Sequence, residues 1–186
     1  MLEKLKKSLI DAPIVKKGDY DYVIHPITDG VPELDPELVD EVDEEIIRIA
    51  NKGFDKIVTA EAMGIPVGTG LSLKLKKPLV IIRKRKYSLP GEVEVSQETG
   101  YSKSNLYING LKKGDKILIV DDVISTGGTM ISVVEALKKM GVKIIDTIIV
   151  VEKGRNKEMV EKKLGLAIKS IIKIEVVDNQ VRIMGK

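Results

Sequence analysis

The fold is decided by the stretch Lys116–Met130, KILIVDDVISTGGTM. It begins with Lys116–Val120, a short apolar run typical of a buried strand, and continues through two acids and a small-residue loop into a helical pattern. The loop, residues 125–129, suits phosphate, since glycines let the backbone approach a ligand and the free N–H groups at a helix start bind anions. Asp121 and Asp122 follow the strand, where carboxylates can accept hydrogen bonds from vicinal sugar hydroxyls or help to place Mg²⁺. The stretch contains neither GxxxxGK[ST] nor GxGxxG, so it is neither a P-loop nor a dinucleotide fingerprint, and a simple cap and turn is the competing interpretation.

Strand and helix patterns alternate on both sides of this stretch. Apolar strand patterns occur at Lys56–Ala60, Pro78–Lys86, Asn105–Ile108 and Lys143–Val151. Helix patterns occur at residues 36–53, 68–76 and 127–140, the first of them introduced by Asp35 as N-cap and Pro36. Strands separated by helices predict an α/β fold with a mainly parallel sheet flanked by helices. Ligands of such sheets bind beyond the carboxyl ends of the strands.

Other segments lie outside this alternation. Met1–Asp11 predicts an amphipathic helix, and Ala12–Asp35, which is rich in Pro, Gly and Asp, predicts a loop. Tyr87–Lys103 is polar and predicts the longest mobile loop of the chain. The tail predicts a hairpin of Ala167–Val177 and Gln180–Met184.

Composition excludes several classes of protein. The length of 186 residues suits one domain, and the absence of Cys excludes disulfides, thiolate metal sites and Cys nucleophiles. A net charge of +3 is too small to indicate a nucleic-acid binder. No apolar run approaches the length of a membrane span and the N-terminus lacks a signal-peptide pattern, so we predict a cytoplasmic protein that binds no membrane. The excess of Lys over Arg suggests a heat-adapted source.

Aromatic residues are also scarce, with no Trp, one Phe and five Tyr. A protein that stacks many bases on aromatic platforms would have more of them. We therefore expect any base pocket of this chain to rely on aliphatic walls and backbone groups.

Four segments together resemble one known family. VDDVISTGGTM, which ends at Met130, resembles the phosphoribosyl-pyrophosphate signature of type I phosphoribosyltransferases. Val58–Gly64 (VTAEAMG) resembles that family's pyrophosphate loop, while Ile82–Gly91 (IRKRKYSLPG) and Ser96–Lys103 (SQETGYSK) resemble flexible-loop segments of its adenine-specific members. The resemblance implies a Rossmann-like core with a small hood from the N-terminal region, in a single domain 1–186. Residues 1–35 would then form the N-terminal helix and hood segment, and residues 36–186 the core with the C-terminal hairpin.

The resemblance implies an enzyme that transfers ribose 5-phosphate from phosphoribosyl pyrophosphate to a nitrogenous base and releases pyrophosphate. The ribose and its 5-phosphate would be bound by Asp121, Asp122, Val123, Ile124, Ser125, Thr126, Gly127, Gly128 and Thr129. Pyrophosphate would be bound by Glu61, Ala62, Met63, Gly64, Arg83, Lys84 and Lys86. For the basic run that includes Arg85, a solvated strand end is the competing interpretation. Mg²⁺ is the implied cofactor, held mainly by the substrate and not directly by the protein.

Catalytic roles are implied for Glu98 and Asp122, with Glu98 carried over the site as its loop closes. Without the resemblance, Glu98 would be read as a surface acid. One departure from the pattern concerns Ser125, because 6-oxopurine enzymes of the other purine branch usually carry Asp at this position. A general base toward the purine would then be Glu98 or water, or would be largely dispensable.

The base itself is suggested by two segments. Tyr22–Val31 lies where the adenine and xanthine branches build a hood, so Ile27 and His25 are candidate base contacts, although a lone His in such a loop is more often structural. Val150–Gly154 resembles the strand end at which the xanthine branch offers a Lys to the purine. Lys153 is a donor only and so matches a 6-oxygen better than an amino group, with a solvated lysine as the alternative.

These features predict a purine salvage enzyme that forms IMP or GMP from hypoxanthine or guanine, with phosphoribosyl pyrophosphate and a purine base as its substrates. A homodimer is expected from the family, and no nucleic-acid partner. The alternatives are an adenine phosphoribosyltransferase and, further away, a transcriptional regulator of this fold that senses the sugar pyrophosphate or purines. The N-terminal segment is too short for a three-helix DNA-binding unit, which favours the enzyme.

Overall fold

The computed structural model of the chain describes residues 2–18, 20–98 and 103–185. Its elements in chain order are α1 (Glu3–Ile10), β1 (Ile14–Lys17), β2 (Tyr20–Val23), α2 (Pro26–Asp29), α3 (Pro36–Ile49), β3 (Lys56–Ala60), α4 (Gly64–Leu75), β4 (Leu79–Ile82), β5 (Val93–Glu98), β6 (Lys103–Ile108), β7 (Lys116–Ile124), α5 (Gly128–Lys139), β8 (Lys143–Lys153), α6 (Lys157–Leu164), β9 (Lys169–Val177) and β10 (Gln180–Met184). No helix in these described ranges is long and apolar enough to cross a membrane.

Six strands form the central sheet, in the order β10-β9-β8-β7-β3-β4. Every neighbouring pair is parallel except β9 and β10, which form the antiparallel C-terminal hairpin. The predicted α/β fold with a mainly parallel sheet is therefore confirmed. Because β3, β7 and β8 run in the same direction, the segments that follow them emerge at one edge of the sheet.

The sheet is buried on both faces, as near-continuous apolar strands require. On β7, Leu118 and Val120 pack in one core cluster with residues of α1, α3 and α4, while Ile117 and Ile119 pack in the other with residues of α5 and α6. This alternation follows from the two-residue period of a strand. Both clusters lie beneath the same carboxyl edge of the sheet.

The N-terminal region differs from the predicted loop 12–35. β1 and β2 form an antiparallel hairpin in which Ile14 pairs with Val23, and α2 follows it. The hairpin depends on pairing between two short strands, and α2 on capping by the His25 side chain, which accepts a hydrogen bond from the Ile27 N–H. The Pro and Gly residues of the segment indicated a loop, so neither the hairpin nor α2 was predicted. The predicted helix at the N-terminus is confirmed as α1, whose Leu5 and Leu9 are buried.

A second antiparallel hairpin takes up residues 93–98 and 103 of the predicted mobile loop 87–103, whereas residues 87–92 lie in no helix or strand. β5 and β6 pair from Val93 opposite Ile108 to Glu98 opposite Lys103. Val95 and Leu106 pack in the core with α5, so burial of alternate apolar residues stabilises a segment whose polar residues suggested a loop. Residues 99–102 of the predicted loop lie outside the described part of the chain.

The remaining differences concern element ends. α4 begins at Gly64 rather than near Gly68, because Pro66 is tolerated in the first turn of a helix. β4 ends at Ile82, so the basic run follows the strand instead of belonging to it. α6 was not predicted, and its buried Val160 and Leu164 provide the packing that forms it. The N-cap role of Asp35 is confirmed, since its side chain accepts a hydrogen bond from the Glu37 N–H at 2.9 Å.

Candidate active site

The predicted sugar and pyrophosphate residues meet at the carboxyl edge of the sheet. Asp121 and Asp122 lie in the last part of β7, and the Gly64 segment follows the neighbouring strand β3. The backbone of Gly64 lies very close to both strands: a Cβ added to Gly64 would lie 1.9 Å from Thr59 Oγ1 and 2.6 Å from Asp121 Oδ1. Only a glycine can therefore pass between these two side chains. Thr59, 1% exposed and without a hydrogen-bond partner for its hydroxyl among the described residues, was not predicted.

The two adjacent acids of β7 interact with each other. The Asp122 N–H donates to Asp121 Oδ1 at 3.1 Å. Burial raises the pKa of the Asp121 carboxyl, while burial and the neighbouring negative charge of Asp121 raise that of Asp122. A cation or hydroxyl donors placed at this edge would stabilise the ionised pair, because opposite charge and hydrogen bonds favour carboxylates.

The loop at residues 125–129 leads into the N-terminus of α5. Gly127 is the N-cap with φ +78°, and among the described residues no side chain caps the helix, so its first N–H groups are available to a ligand. A Cβ on Gly127 would lie 2.3 Å from Val160 Cγ2, which requires glycine for packing as well as for backbone conformation. The Asn156 side chain donates to the Ser125 carbonyl at 3.1 Å and so holds the loop from the α6 side. This geometry suits an anion at the helix start.

The predicted pyrophosphate residues are only partly together. Arg83 forms an ion pair with Glu61 and exchanges two backbone hydrogen bonds with Tyr107 of β6, at 3.0 and 2.7 Å. Lys84 and Lys86 are exposed, and Lys86 lies 3.7 Å from Glu94. The Glu61–Ala62 peptide bond is cis. Arg83 and Glu61 are therefore at the site edge, whereas the two lysines extend toward solvent.

The predicted catalytic Glu98 is the last residue of β5. Its side chain lies outside the part of the chain that the structure describes. The backbone bridge between Arg83 and Tyr107 joins the β5–β6 hairpin, which carries Glu98, to the end of β4.

A cleft beside the loop at residues 125–129, the predicted phosphate loop, is lined by the N-terminal region and the ends of β7 and β8. Its volume is about 460 Å³, part of which is open to solvent. The residues that line it are Leu9, Tyr20, Tyr22, Val23, His25, Thr28, Val123, Ser125, Val151, Lys153 and Ile174. Lys153 is thus brought to the predicted hood. Besides aliphatic side chains and Lys153, two of the five tyrosines, Tyr20 and Tyr22, line the cleft, which the scarcity of aromatic residues did not lead us to expect. Their alternate spacing, Tyr-x-Tyr, was the signal that strand β2 presents both on one face.

The N-terminal residues of the cleft are firmly connected to one another. Tyr22 donates to Asp29 Oδ1 at 2.6 Å, and this hydrogen bond, with burial, raises the pKa of Tyr22 to about 12. His25 is fully buried; Nδ1 accepts from the Ile27 N–H at 3.1 Å and Nε2 lies 2.8 Å from Ser8 Oγ. Burial lowers the pKa of His25 to about 4. The structure thus gives His25 a capping role, and Ile27, 1% exposed, lies in the core beneath the cleft.

The described residues fit Mg²⁺ held largely by a ligand. They contain no group of three or more His, Cys, Asp or Glu side chains that could hold a metal. They do provide the adjacent carboxyls of Asp121 and Asp122 at the sheet edge. Mg²⁺ commonly binds through one or two carboxylates together with substrate oxygens and water.

Comparison with known proteins places the chain in a family. Residues 34–183 match the phosphoribosyl transferase domain. A hypoxanthine/guanine phosphoribosyltransferase of Methanobacterium lacus is 58% identical over 100% of this chain and 97% of its own length. One of Methanocaldococcus vulcanius is 57% identical over 97% of this chain and 99% of its own length.

Solved structures show the same fold. Adenine phosphoribosyltransferase from Thermoanaerobacter pseudethanolicus has a TM-score of 0.72 at 23% identity, covering 93% of this chain and 99% of its own. The enzyme from Leishmania tarentolae has a TM-score of 0.74 at 15% identity, covering 92% and 87%. The domain match, together with relatives more than half identical over nearly the whole chain, shows that this chain belongs to the phosphoribosyltransferase family.

Proposed function

We propose that this phosphoribosyltransferase serves purine salvage, transferring ribose 5-phosphate from phosphoribosyl pyrophosphate to hypoxanthine or guanine. The observation that carries the base assignment is the position of Lys153, an ammonium group at the cleft beside the phosphate loop. Relatives named hypoxanthine/guanine phosphoribosyltransferase, 52–58% identical over nearly the whole chain, support the same substrates.

The phosphate end of the substrate would bind at the start of α5. The N–H groups of residues 127–129 and the hydroxyls of Ser125, Thr126 and Thr129 supply donors for a dianionic 5-phosphate. Asp121 and Asp122 would accept hydrogen bonds from the ribose 2- and 3-hydroxyls, and Val123 and Ile124 connect them to the loop. Anchoring both ends of the ribose positions its anomeric carbon between the pyrophosphate segment and the cleft.

The leaving pyrophosphate would bind at the Gly64 segment. Backbone groups of residues 61–64 can approach a ligand here because Gly64 lacks a side chain, and Arg83 supplies positive charge at the edge. Lys84 and Lys86 would approach once pyrophosphate is present, and Glu98 would contribute a carboxylate from its hairpin. Stabilising charge on a departing group is the main electrostatic task of such a site. Asp121 and Asp122 would lie beside Mg²⁺ that is held mainly by the substrate; when bound, the ion would supply positive charge to offset the charge on that group.

The base would occupy the cleft under the N-terminal region, which we propose acts as a hood formed by residues 1–35 on the core 36–186. The Lys153 ammonium group has three donors, one of which goes to the Asp21 carbonyl. A second can meet a purine 6-oxygen, whereas adenine offers an amino group there. Since His25 and Ile27 are buried, we propose that they hold the hood in place. They would reach the base only if the hood moves.

Four further sequence-based expectations remain predictions: a requirement for Mg²⁺, a homodimer, a cytoplasmic location and a heat-adapted source. The first two are directly measurable. Chelation of divalent cations should abolish turnover, and the mass of the protein in solution should correspond to twice 20.5 kDa.

Steady-state turnover with a panel of bases tests the proposal. At equal concentrations of phosphoribosyl pyrophosphate and Mg²⁺, we expect kcat/KM for hypoxanthine and guanine to exceed that for adenine by roughly ten- to hundredfold, the range of one charge-assisted hydrogen bond. Preference for adenine would overturn the base assignment. If no base led to release of pyrophosphate, the assignment as an enzyme would be wrong, and a regulator that senses the same ligands would be favoured.

A further inference from the structure

The hood and the phosphate loop are joined by a side-chain contact. The Tyr20 hydroxyl on β2 lies 3.3 Å from Ser125 Oγ at the end of β7, although 105 positions separate the two residues. Asn156 holds the Ser125 carbonyl on the other side, at 3.1 Å. The position of the Ser125 hydroxyl therefore depends on both the hood and α6.

The chemistry of a serine hydroxyl gives this contact a direction. The hydroxyl has one proton and two acceptor lone pairs. When it donates that proton to a phosphate oxygen, the Tyr20 hydroxyl can remain hydrogen-bonded only as the donor. The result is a chain, Tyr20 to Ser125 to phosphate, in which each hydrogen bond polarises the next.

The Tyr20 ring also contacts the base end of the cleft. Lys153 Nζ lies 3.8 Å from the ring centroid, and the same ammonium donates to the carbonyl of the adjacent Asp21. The Tyr20 and Tyr22 rings lie 6.3 Å apart at 59°. A cation over a ring face is attracted to it, so Tyr20 holds Lys153 through its face and Ser125 through its hydroxyl.

We propose that Tyr20 is a positioning residue that couples the 5-phosphate loop to the base-recognition end of the cleft. Its hydroxyl strengthens phosphate binding by orienting Ser125, and the ordered ring in turn fixes Lys153. The inference rests on the proposed function in that Ser125 binds the 5-phosphate, but it does not depend on which purine is preferred.

A double-mutant cycle with a phosphate-free control ligand tests the coupling. Dissociation constants of IMP and of inosine are measured by calorimetry, with competition where inosine binds weakly, for the wild type, Tyr20→Phe, Ser125→Ala and the double variant. Phenylalanine keeps the ring under Lys153 and removes only the hydroxyl. We expect Tyr20→Phe to raise the dissociation constant of IMP about three- to tenfold, in the range of one hydrogen bond, and that of inosine less than about twofold. In the Ser125→Ala protein, Tyr20→Phe should have no further effect on the dissociation constant of IMP.

Tyr22→Phe is the matched control, since it removes a neighbouring hydroxyl that bonds Asp29 instead of the phosphate loop. Tyr22→Phe should change the dissociation constants of IMP and inosine by the same factor, and its effect should add to that of Ser125→Ala. Equal losses of affinity for IMP and inosine in Tyr20→Phe, or effects of Tyr20→Phe and Ser125→Ala that add, would overturn the proposal. If inosine does not bind, the test of additivity alone decides.

The base panel separates this inference from the proposed function. If wild-type turnover favours adenine, AMP and adenosine replace IMP and inosine, and the same coupling is expected. If no base is turned over but a nucleotide shows the coupling, the enzyme assignment fails while the role of Tyr20 stands.

Discussion

Gly64 lies between two side chains of the site, and its replacement tests how closely they approach. We expect Gly64→Ala to lower kcat/KM at least about a hundredfold, because its Cβ would lie 1.9 Å from Thr59 Oγ1 and 2.6 Å from Asp121 Oδ1, so that the acid or the pyrophosphate segment must move. Steady-state kinetics with phosphoribosyl pyrophosphate as the varied substrate measures the effect.

Gly185→Ala is the control for this glycine substitution, since its Cβ would meet nothing within 4 Å and its backbone lies outside the left-handed region. Its kinetics should match those of the wild type. Unchanged kinetics in Gly64→Ala would show that the close approach of the residue 64 backbone to Asp121 does not constrain the reaction.

Asp43 on α3 should make the stability of the protein depend on pH. The side chain is 1% exposed, its Oδ2 packs against Gly70, and Oδ1 has no hydrogen-bond partner among the described residues. Burial raises its pKa from 3.8 to about 7, opposed by the charge of Lys74. Between these values the folded protein holds a proton that the unfolded chain has lost, so the contribution of Asp43 to stability is greatest below pH 4 and declines as the pH rises to 7.

The free energy of unfolding, measured by denaturant titration from pH 4 to 8, checks this dependence against Asp43→Asn. We expect the wild type to lose stability relative to the variant by up to about 1.4 kcal/mol per pH unit within the window. Parallel curves for the two proteins would contradict the raised pKa.

Lys153 should determine base selectivity more than sugar binding. Lys153→Met keeps an unbranched side chain only one atom shorter and removes the donors, so we expect the hypoxanthine-to-adenine ratio of kcat/KM to fall roughly ten- to hundredfold. The KM for phosphoribosyl pyrophosphate should change less than about threefold. A proportional loss for both bases would show that Lys153 acts only as a support for the hood.

Among the elements, α6 supports the phosphate loop through Val160. Gly127→Ala would place a methyl group 2.3 Å from Val160 Cγ2 at a residue with φ +78°. We expect a loss of about 2 kcal/mol or more in the free energy of unfolding, and weaker binding of IMP, from strain and steric overlap together. The double variant with Val160→Ala should lose less than the sum of the two single variants, since the overlap is removed while the backbone strain remains. Additive losses in denaturant titrations would contradict the contact.

The elements best predicted from sequence are those whose signal is local. β3 has the predicted limits, and the motif at 121–129 gave the paired acids and the loop together, because adjacent residues on one strand and one helix start need no further information. The β1–β2 hairpin, strand β5 and its pairing with β6 were missed, since they depend on contacts between two short strands, whereas the predicted strand Asn105–Ile108 is confirmed within β6. Tyr20, Thr59 and Val160 were missed for the same reason: their roles come from contacts with distant residues.

The molecule as a whole combines a core of mainly parallel strands with an N-terminal region, which we propose acts as a hood. The core brings the acids, phosphate loop and pyrophosphate segment to one edge, and the hood adds a cleft that Lys153 reaches from β8. A net charge of +3 conceals this separation of charge, in which the acids would face the sugar, Arg83 the pyrophosphate and Lys153 the base under the proposed function.

A crystal structure with bound IMP is the most direct test of this arrangement. The account predicts the 5-phosphate at the start of α5 near Ser125, the ribose hydroxyls at Asp121 and Asp122, and the purine 6-oxygen within hydrogen-bond distance of Lys153 Nζ, about 2.7–3.2 Å. A purine whose 6-position faces backbone groups or solvent, with Lys153 turned away from it, would contradict the account.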